Sequence, residues 1–319
     1  MIYNNPMKLG MIMDPIERIT TKKDSSFAML LAAQKRGWDL YYLQVADLSV
    51  NSDQVSARVK RIRVIDDPDH WFEVLDELTI SLNELDAILM RKDPPFDMQY
   101  IYCTYLLELV ENQGTAVFNK PASIRSANEK LFITNFPNCI TETCVAKSFS
   151  ALHDFIEQHD EVILKPLDGM GGRSIFKSSR KDSNLNVILE TLTDNEQLFI
   201  MAQRYLPEIK DGDKRILLIN GEPVAYALAR IPGKNDARGN LARGATAEGR
   251  ELTDRDRWLC EQIGPSLKTM GLSFVGLDVI GDYVTEINVT SPTCIRELDS
   301  LFDLDIAGDY IDFITSTIA

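Results

Sequence analysis

Three oxygen-bearing side chains lie close together near the carboxyl end of the sequence. Residues 274–288, FVGLDVIGDYVTEIN, alternate apolar and polar side chains on both sides of a Gly-Asp pair, which predicts a β-hairpin. A two-residue turn would place Glu286 opposite Leu277 on the apolar face, whereas a three-residue loop places Glu286 opposite Asp278. We predict the three-residue loop, because it also gathers Asn288 with the two carboxylates on one face.

These three side chains could hold a metal ion. Two carboxylates on one face repel each other unless a cation lies between them. Oxygen ligands with no His or Cys nearby favour Mg²⁺ or Mn²⁺ over Zn²⁺. A hydrated sheet face, or pairing of a carboxylate with a lysine, is the alternative interpretation. We favour the metal site and predict Asp278, Glu286 and Asn288 as its ligands.

A lysine and a glycine-rich loop form a second cluster in the middle of the sequence. Residues 161–168, EVILKPLD, are typical of a strand that carries Lys165, and the loop GMGG follows in residues 169–172. Glycines let the backbone approach a phosphate and turn its N–H groups inward. The loop matches neither GxxxxGK[ST] nor GxGxxG, so neither a P-loop nor a dinucleotide fold is predicted. A plain hairpin turn is the alternative.

Arginines follow this loop in the chain. An Asn-Gly pair is a strong turn signal between two apolar strands, and those strands carry Arg215 and Arg230. Residues 231–246, IPGKNDARGNLARGAT, combine glycines with several cations, including Arg238. We expect them to form a mobile loop that orders on ligand binding, with a solvated loop as the alternative.

Length, charge and cysteine content limit the classes of protein that the chain can belong to. A chain of 319 residues is long enough for two or three lobes. Its net charge of -14 argues against nucleic acid or an anionic membrane as a general partner. Five scattered cysteines without a CxxC pair predict neither a disulfide framework nor structural zinc. No apolar run is long enough for a membrane span, so we expect a cytoplasmic protein.

The hydrophobic pattern indicates the elements that position these residues. The first 120 residues alternate strands and helices, which predicts a parallel sheet. We predict strands in residues 8–14, 38–45 and 86–90 and helices in residues 24–37, 71–78 and 99–112. Further along, we predict strands in residues 197–205, 215–218 and 224–229 and helices in residues 253–270 and 305–318.

Polar residues follow two of these first strands. Ligands of open α/β sheets bind beyond the carboxyl ends of strands. Lys23, Asp24 and Ser25 follow the first strand, and Arg91 follows the strand DAILM. We interpret them as contacts for a substrate carboxylate, with a solvated loop and a local ion pair as the alternative.

The order of these pieces resembles that of the ATP-grasp enzymes, and longer motifs resemble the bacterial glutathione synthetase family. These motifs span nearly the whole chain: MDP, KKDSSFAMLLAAQ, MRKDPPFD, NEKLF, LKPLDGMGG, DGDKR, EPVAYALARIP, RGNLA, FVGLDVIGD and TEINVTSPTCIRE. The resemblance implies an α/β, ATP-grasp fold. It implies an N-terminal parallel α/β domain in residues 1–122, a central lid domain in 123–200 and a C-terminal antiparallel-sheet domain in 201–319.

The resemblance also implies roles for individual residues. Contacts to ATP are expected from Lys130, Lys165, Gly169, Met170, Gly171, Gly172, Gln203, Arg204, Tyr205, Leu206 and Asp213. Catalytic charges are expected from Arg215, Arg230 and Arg238. Substrate contacts are expected from Lys23, Asp24, Ser25, Arg91, Asn288, Ser291, Thr293 and Arg296.

The implied reaction joins a carboxylate to an amine at the expense of ATP, with Mg²⁺ or Mn²⁺. A carboxylate needs activation because its oxygen is a poor leaving group, and phosphoryl transfer gives an acyl phosphate that the amine attacks. The resemblance implies γ-glutamylcysteine and glycine as substrates, and a homo-oligomer, a dimer or tetramer. Another ATP-grasp ligase, or an ATP-binding regulatory protein without turnover, remains the alternative.

Overall fold

Three β-sheets follow one another along the described part of the chain. The computed structural model describes residues 6–233 and 246–319, and every statement on the structure below concerns those residues. The first sheet has seven strands, the second has four and the third has five. Arg238, which we predicted as catalytic, and most of the predicted loop 231–246 lie outside the described residues.

The first sheet combines a parallel core with an antiparallel extension. Its strands are β1 (Lys8–Ile12), β2 (Asp39–Leu43), β3 (Leu48–Asn51), β4 (Gln54–Val64), β5 (Phe72–Ser81), β6 (Ala87–Met90) and β7 (Ala116–Phe118). β2, β1, β6 and β7 are neighbours in that order and pair in parallel. β4 pairs antiparallel with β2, β3 and β5. The predicted parallel sheet is therefore confirmed only for its core.

The prediction of a helix over residues 71–78 is wrong, because this segment is the first part of β5. Its leucines and acidic residues favour helices. Within the part of the chain that the structure describes, however, β5 pairs with β4 alone, and most of its side chains are exposed. Such an edge strand buries neither face fully, so it lacks the period-two apolar pattern that identifies a strand in sequence.

Three helices cover this first sheet, and the first two lie where the sequence predicts them. They are α1 (Ser25–Lys35), α2 (Met98–Asn112) and the short α3 (Pro121–Ser126). The carboxylate of Asp24 accepts a hydrogen bond of 2.7 Å from Phe27 N, and Asp97 caps α2 in the same way at Tyr100 N. Asp24 thus begins a helix, which is a structural use of a residue that we predicted as a substrate contact.

The second sheet is antiparallel and has its own small core. Its strands are β8 (Thr143–Ala146), β9 (Val162–Pro166), β10 (Phe176–Ser178) and β11 (Ile200–Arg204), in the order β10-β9-β11-β8. The helices α4 (Phe149–Gln158) and α5 (Leu185–Thr193) bury Leu152, Ile156 and Leu189 against it. Because β11 pairs with β8 and β9, a domain boundary at residue 200 falls at the start of a strand of this sheet.

The third sheet is antiparallel throughout. Its strands are β12 (Asp213–Ile219), β13 (Glu222–Ile231), β14 (Thr246–Glu251), β15 (Phe274–Ile280) and β16 (Tyr283–Asn288), in the order β14-β13-β12-β15-β16. The remaining helices are α6 (Asp254–Thr269), α7 (Ile295–Phe302) and α8 (Ile306–Ile318). α8 packs against α1, which joins the last helix to the first lobe. No helix of the described chain has the length and apolarity that a bilayer crossing needs.

The β15–β16 hairpin pairs Asp278 with Glu286, as predicted, but by a different route. Ile280 pairs with Tyr283 and Val279 with Val284, so the turn has two residues rather than three. The register then shifts by one residue before Asp278. This bulge has the same effect on the register as the longer loop that we predicted.

Asn119, directly after β7, joins the first lobe to this hairpin. Its side-chain nitrogen donates to Phe274 O at 2.9 Å and to Val289 O at 2.8 Å. Its side-chain oxygen accepts from Phe274 N at 2.9 Å and from Ser273 Oγ at 3.2 Å. A buried amide is thus fully used to hold the two ends of the hairpin.

Candidate active site

A cavity of about 670 Å³ lies between the three sheets. Loops after the strands of the first sheet, both inner strands of the second sheet, and four strands of the third contribute to its lining. Asp278, Glu286 and Asn288 all line it, so the hairpin presents the predicted metal ligands to the cavity. This arrangement follows from the pairing of β15 with β16.

Two arginines hold the carboxylate of Asp278. Arg215 Nε donates to Asp278 Oδ1 at 2.5 Å and Arg215 Nη2 to Oδ2 at 3.1 Å. Arg230 Nη2 lies 2.9 Å from Asp278 Oδ2. Burial alone would raise the pKa of Asp278, but the charges of Arg215 and Arg230 outweigh it and hold this pKa below its usual range. Asp278 is therefore an ionised, buried carboxylate.

Arg230 also contacts a second carboxylate. Its Nη2 donates to Asp213 Oδ2 at 2.6 Å and its Nε to Asp213 O at 3.3 Å. Asp213 Oδ1 is buried and has no hydrogen-bond partner among the described residues. Burial raises the pKa of Asp213, and the charge of Arg230 opposes that effect. A donor from a bound ligand would satisfy this oxygen.

Two lysines approach Glu286 from the second lobe. Lys130 Nζ lies 3.5 Å and Lys165 Nζ 3.7 Å from Glu286 Oε1, and both lysines are almost fully buried. Lys130 Nζ also donates to Gly169 O at 2.6 Å, and Lys165 Nζ donates to Thr285 O at 3.2 Å. Burial lowers the pKa of Lys165 and the charge of Glu286 opposes it. The site thus concentrates positive charge beside the glycine loop.

The residues that we predicted to contact ATP all line the same cavity. They are Lys130, Lys165, Gly169, Met170, Gly171, Gly172, Gln203, Arg204, Tyr205, Leu206 and Asp213. Gly171 and Gly172 have φ of 64° and 70°, a left-handed conformation that favours glycine. The guanidinium of Arg204 is paired with Glu142, with Nε 2.6 Å from Oε2.

The predicted substrate contacts divide into two groups. Lys23, Ser291 and Thr293 line the cavity with Asn288. Ser25 and Arg91 are buried behind the lining, where Ser25 Oγ accepts from Ile295 N at 3.3 Å and Arg91 Nη2 donates to Pro292 O at 2.8 Å.

Arg296 lies away from the cavity. Its Nη2 lies 2.8 Å from Asp66 Oδ1 at the surface, and its guanidinium lies 5.7 Å from the centre of the Phe27 ring. Asp24, the cap of α1, does not line the cavity either. These two residues, with Ser25 and Arg91, can act on a substrate only by supporting the residues that line the cavity.

Residues outside the final set of predicted site residues also line the cavity. They include the acids Asp93, Glu129 and Glu297 and the thiol of Cys294. Glu129 directly precedes Lys130 in the motif NEKLF, but a single acid in a polar segment carries no periodic signal. Cys294 is buried, which raises the pKa of its thiol.

The chemistry of the hairpin fits a hard divalent cation. Glu286 offers a carboxylate oxygen, and Asn288 uses its side-chain nitrogen on Gly276 O at 3.3 Å, which leaves its amide oxygen as a ligand. Asp278 would share with the cation the carboxylate oxygens that Arg215 and Arg230 contact. Within residues 6–233 and 246–319, no group of three or more His, Cys, Asp or Glu side chains could hold a metal. Two carboxylates and one amide would need further oxygen ligands, such as phosphate or water.

Solved structures of other proteins share this fold. D-cycloserine synthetase DcsG matches with a TM-score of 0.70 at 14% identity over 98% of this chain and 100% of that chain. The ATP-grasp ligase PsnB, solved with a variant of its minimal precursor, Mg and ADP, matches with a TM-score of 0.65 at 18% identity, over 99% and 100% of the two chains. These matches show that the chain has the ATP-grasp fold.

Sequence comparisons identify the family, which the shared fold alone does not. The model of the prokaryotic glutathione synthetase N-terminal domain matches residues 7–125, and the model of the ATP-grasp domain of the same enzymes matches residues 129–303. Glutathione synthetase of Pseudomonas syringae pv. tomato is 59% identical over 97% of both chains, and that of Coxiella burnetii is 55% identical over 98% of both. The chain belongs to the prokaryotic glutathione synthetase family.

Proposed function

We propose that this chain joins γ-glutamylcysteine to glycine and forms glutathione, with ATP converted to ADP and phosphate. The proposal is supported by the relatives named glutathione synthetase, which match almost the full length of the chain. One structural observation carries it: Lys130, Lys165, Arg215 and Arg230 meet in the cavity that also contains the oxygen ligands of the hairpin.

The four cations suit transfer of a phosphoryl group to a carboxylate. The γ-phosphoryl group carries charge on its equatorial oxygens during transfer, and preorganised cations stabilise that charge. We assign Lys130 and Lys165, beside the glycine loop, to the ATP phosphates. Arg215 and Arg230 are rigid, because Asp278 and Asp213 fix their guanidinium groups. They can therefore stabilise the developing charge without reorganisation.

We assign Asp278, Glu286 and Asn288 to a divalent cation, Mg²⁺ or Mn²⁺, which supplies charge neutralisation of the nucleotide phosphates when it is bound. Gly169–Gly172 would cover those phosphates, and Gln203–Leu206 would line the pocket of the base. Asp213 Oδ1, a buried acceptor without a partner among the described residues, would accept from the nucleotide. Lys23, Ser291 and Thr293 would contact the acyl substrate.

The second half of the reaction uses the acyl phosphate. The amine of glycine attacks its carbonyl carbon, a C–N bond forms, and the C–O bond to phosphate breaks. Water would hydrolyse the same intermediate, so the site has to close before transfer. No covalent protein nucleophile is needed, which agrees with the burial of Cys294 and its raised thiol pKa.

Release of ADP by the purified protein tests the proposal. ATP and Mg²⁺ are supplied with γ-glutamylcysteine and glycine together, and each substrate is then omitted in turn. We expect release only when both are present, with glutathione as the product. Lys165→Met should abolish release, whereas Lys181→Met, at an exposed lysine, should leave it unchanged. Release with other acid and amine pairs would indicate another ATP-grasp ligase, and ATP binding without release would indicate a silent binder.

The proposal also covers the domain boundaries, the cellular location and the oligomeric state. We divide the chain into lobes of residues 1–122, 123–204 and 205–319, moving the second boundary so that β11 stays within its sheet. We place the protein in the cytoplasm, where its five unpaired cysteines would remain reduced. We propose a homo-oligomer, a dimer or tetramer, which light scattering of the purified chain would test.

A further inference from the structure

The amine that attacks the acyl phosphate must lose a proton. An α-amino group is mostly protonated near neutral pH, and the nitrogen that has formed a new bond to carbon carries a proton that must leave. None of the roles assigned above includes a proton acceptor. This inference rests on the proposed function, because a proton acceptor is needed only if an amine is the second substrate.

Glu129 is a carboxylate of the same cavity that can accept a proton. It lines the cavity and is the residue before Lys130. Its backbone oxygen accepts from Ile287 N at 2.8 Å, and its Oε1 accepts from Thr290 Oγ1 at 2.7 Å. These two contacts hold Glu129 beside the strand β16, which carries predicted metal ligands, and beside Thr290, which precedes the predicted substrate contact Ser291.

Glu129 differs from the other carboxylates at the centre of the cavity in its partners. Asp213 and Asp278 are paired with arginines, and Glu286 is paired with two lysines. Glu129 receives a hydroxyl hydrogen bond and forms no ion pair with any described residue. A carboxylate that is not neutralised by contact keeps its basicity for a proton.

The surroundings of Glu129 favour proton uptake. Burial raises its pKa, while the hydrogen bond from Thr290 and the charges of Lys130 and Arg215 oppose that effect. Glu286 faces it from β16, and Tyr100 faces it from α2. A carboxylate with a raised pKa accepts a proton more readily than an exposed one, which suits a general base.

Two further acids of the cavity lining, Asp93 and Glu297, are less suited than Glu129 to accept this proton. Asp93 accepts from Ser291 Oγ, and its backbone nitrogen donates to Asp14. Burial raises the pKa of Glu297, and the charges that oppose this effect are those of Lys23 and Arg296, neither of which is among the four cations assigned to phosphoryl transfer. Glu129, by contrast, is coupled electrostatically to Lys130 and Arg215.

We propose that Glu129 is the general base that takes the proton from the attacking amine. The nitrogen lone pair forms the C–N bond, and one N–H proton passes to a carboxylate oxygen of Glu129. The C–O bond of the acyl phosphate breaks, and its electron pair leaves with inorganic phosphate. The resulting carboxylic acid then returns its proton to solvent, which restores the base.

Glu129→Gln tests this role, because the amide keeps the shape and the acceptor for Thr290 Oγ1 but cannot take a proton. Glycine is compared with hydroxylamine, a weaker base that is unprotonated near neutral pH and whose adduct nitrogen is acidic enough to lose its proton to water, so its reaction depends less on a protein acceptor. We expect glutathione formation to fall about 10²-fold or more, while hydroxamate formation from γ-glutamylcysteine falls less than about threefold. Glu129→Asp, which retains a carboxylate, should recover part of the glycine rate.

The controls separate the possible outcomes. Glu190→Gln, at an exposed acid of α5, should leave both rates unchanged, and thermal melting reports whether each variant is folded. Equal losses with glycine and hydroxylamine, or a normal glycine rate in Glu129→Gln, would overturn the role of Glu129 alone. A wild-type protein that makes neither glutathione nor the hydroxamate would overturn the proposed function, and with it this inference.

Discussion

Arg215 and Asp278 are direct cross-strand partners, and Arg215 Nε lies 2.5 Å from Asp278 Oδ1 in a buried contact. On the other side of β12, Asp213 pairs with Arg230 in the same way. Residues 213 and 215 are two apart, so they share a face of the strand. The antiparallel sheet therefore places two arginines and two acids in one buried network that faces the cavity.

Asp278→Asn should destabilise the fold. The amide keeps the shape of the carboxylate but leaves Arg215 and Arg230 without their common counter-charge. Loss of one partner from a buried ion pair costs about 3 kcal/mol or more in the free energy of unfolding, which denaturant titration measures.

Asp282→Asn is the matched control, since Asp282 is an exposed turn residue of the same hairpin. Its unfolding free energy should equal that of the wild type. An Asp278→Asn protein as stable as this control would show that Asp278 does not neutralise the two arginines.

The sequence identifies the parts of this network but not their pairing. The alternation in β15 and β16 predicts that Asp278 and Glu286 face each other, since both lie in one hairpin and the pairing is local. Contact of Asp278 with Arg215 depends on which strand lies next to β15, and 63 residues separate the two. No local pattern carries that information, so the arginines were predicted only through the family resemblance.

The positions of edge strands and isolated acids are likewise not revealed by local sequence patterns. β5 is exposed and rich in helix-forming residues, so its pairing with β4 was not predictable from periodicity. Glu129 acquires its position from Thr290 and Ile287, which are more than 150 residues away in sequence. Strong local signals, such as the Asn-Gly turn between β12 and β13, were predicted correctly.

Glu286→Gln should reduce turnover strongly. The amide is a poorer ligand for a hard cation, and it removes the negative charge that Lys130 and Lys165 share. We expect kcat to fall by about 10²-fold or more and the melting temperature to fall modestly, because both lysines are buried. Activity is measured across a Mg²⁺ titration. Near-normal turnover at saturating Mg²⁺ would exclude Glu286 as a ligand.

Asn119→Ala should weaken the connection between the first lobe and the β15–β16 hairpin. The substitution leaves the buried Phe274 N–H and the carbonyls of Phe274 and Val289 without partners. Unpaired buried groups of this kind cost about 1–3 kcal/mol each, so we expect a loss of about 3 kcal/mol in unfolding free energy. Asn83→Ala, at an exposed asparagine, is the control. Equal stability of the two variants would contradict this connecting role.

Asp299→Asn should stabilise the protein at neutral pH. Burial raises the pKa of Asp299 from 3.8 to about 6, and the nearby Asp305 and Asp309 add to that effect. Between these two values the folded state binds a proton that the unfolded state has lost. The stabilising contribution of protonated Asp299 is therefore complete below the lower value and is lost as the pH rises through about 6.

The asparagine variant avoids this loss and keeps an acceptor for Ile306 N, which donates to Asp299 Oδ1 at 3.0 Å. The carboxylate is only half-buried, so solvent screening reduces the expected gain in unfolding free energy to about 1 kcal/mol near pH 7.5. Near pH 4 the variant and the wild type should be almost equally stable. Denaturant titrations at the two pH values measure the difference, and a gain that does not depend on pH would show that Asp299 is not the titrating group.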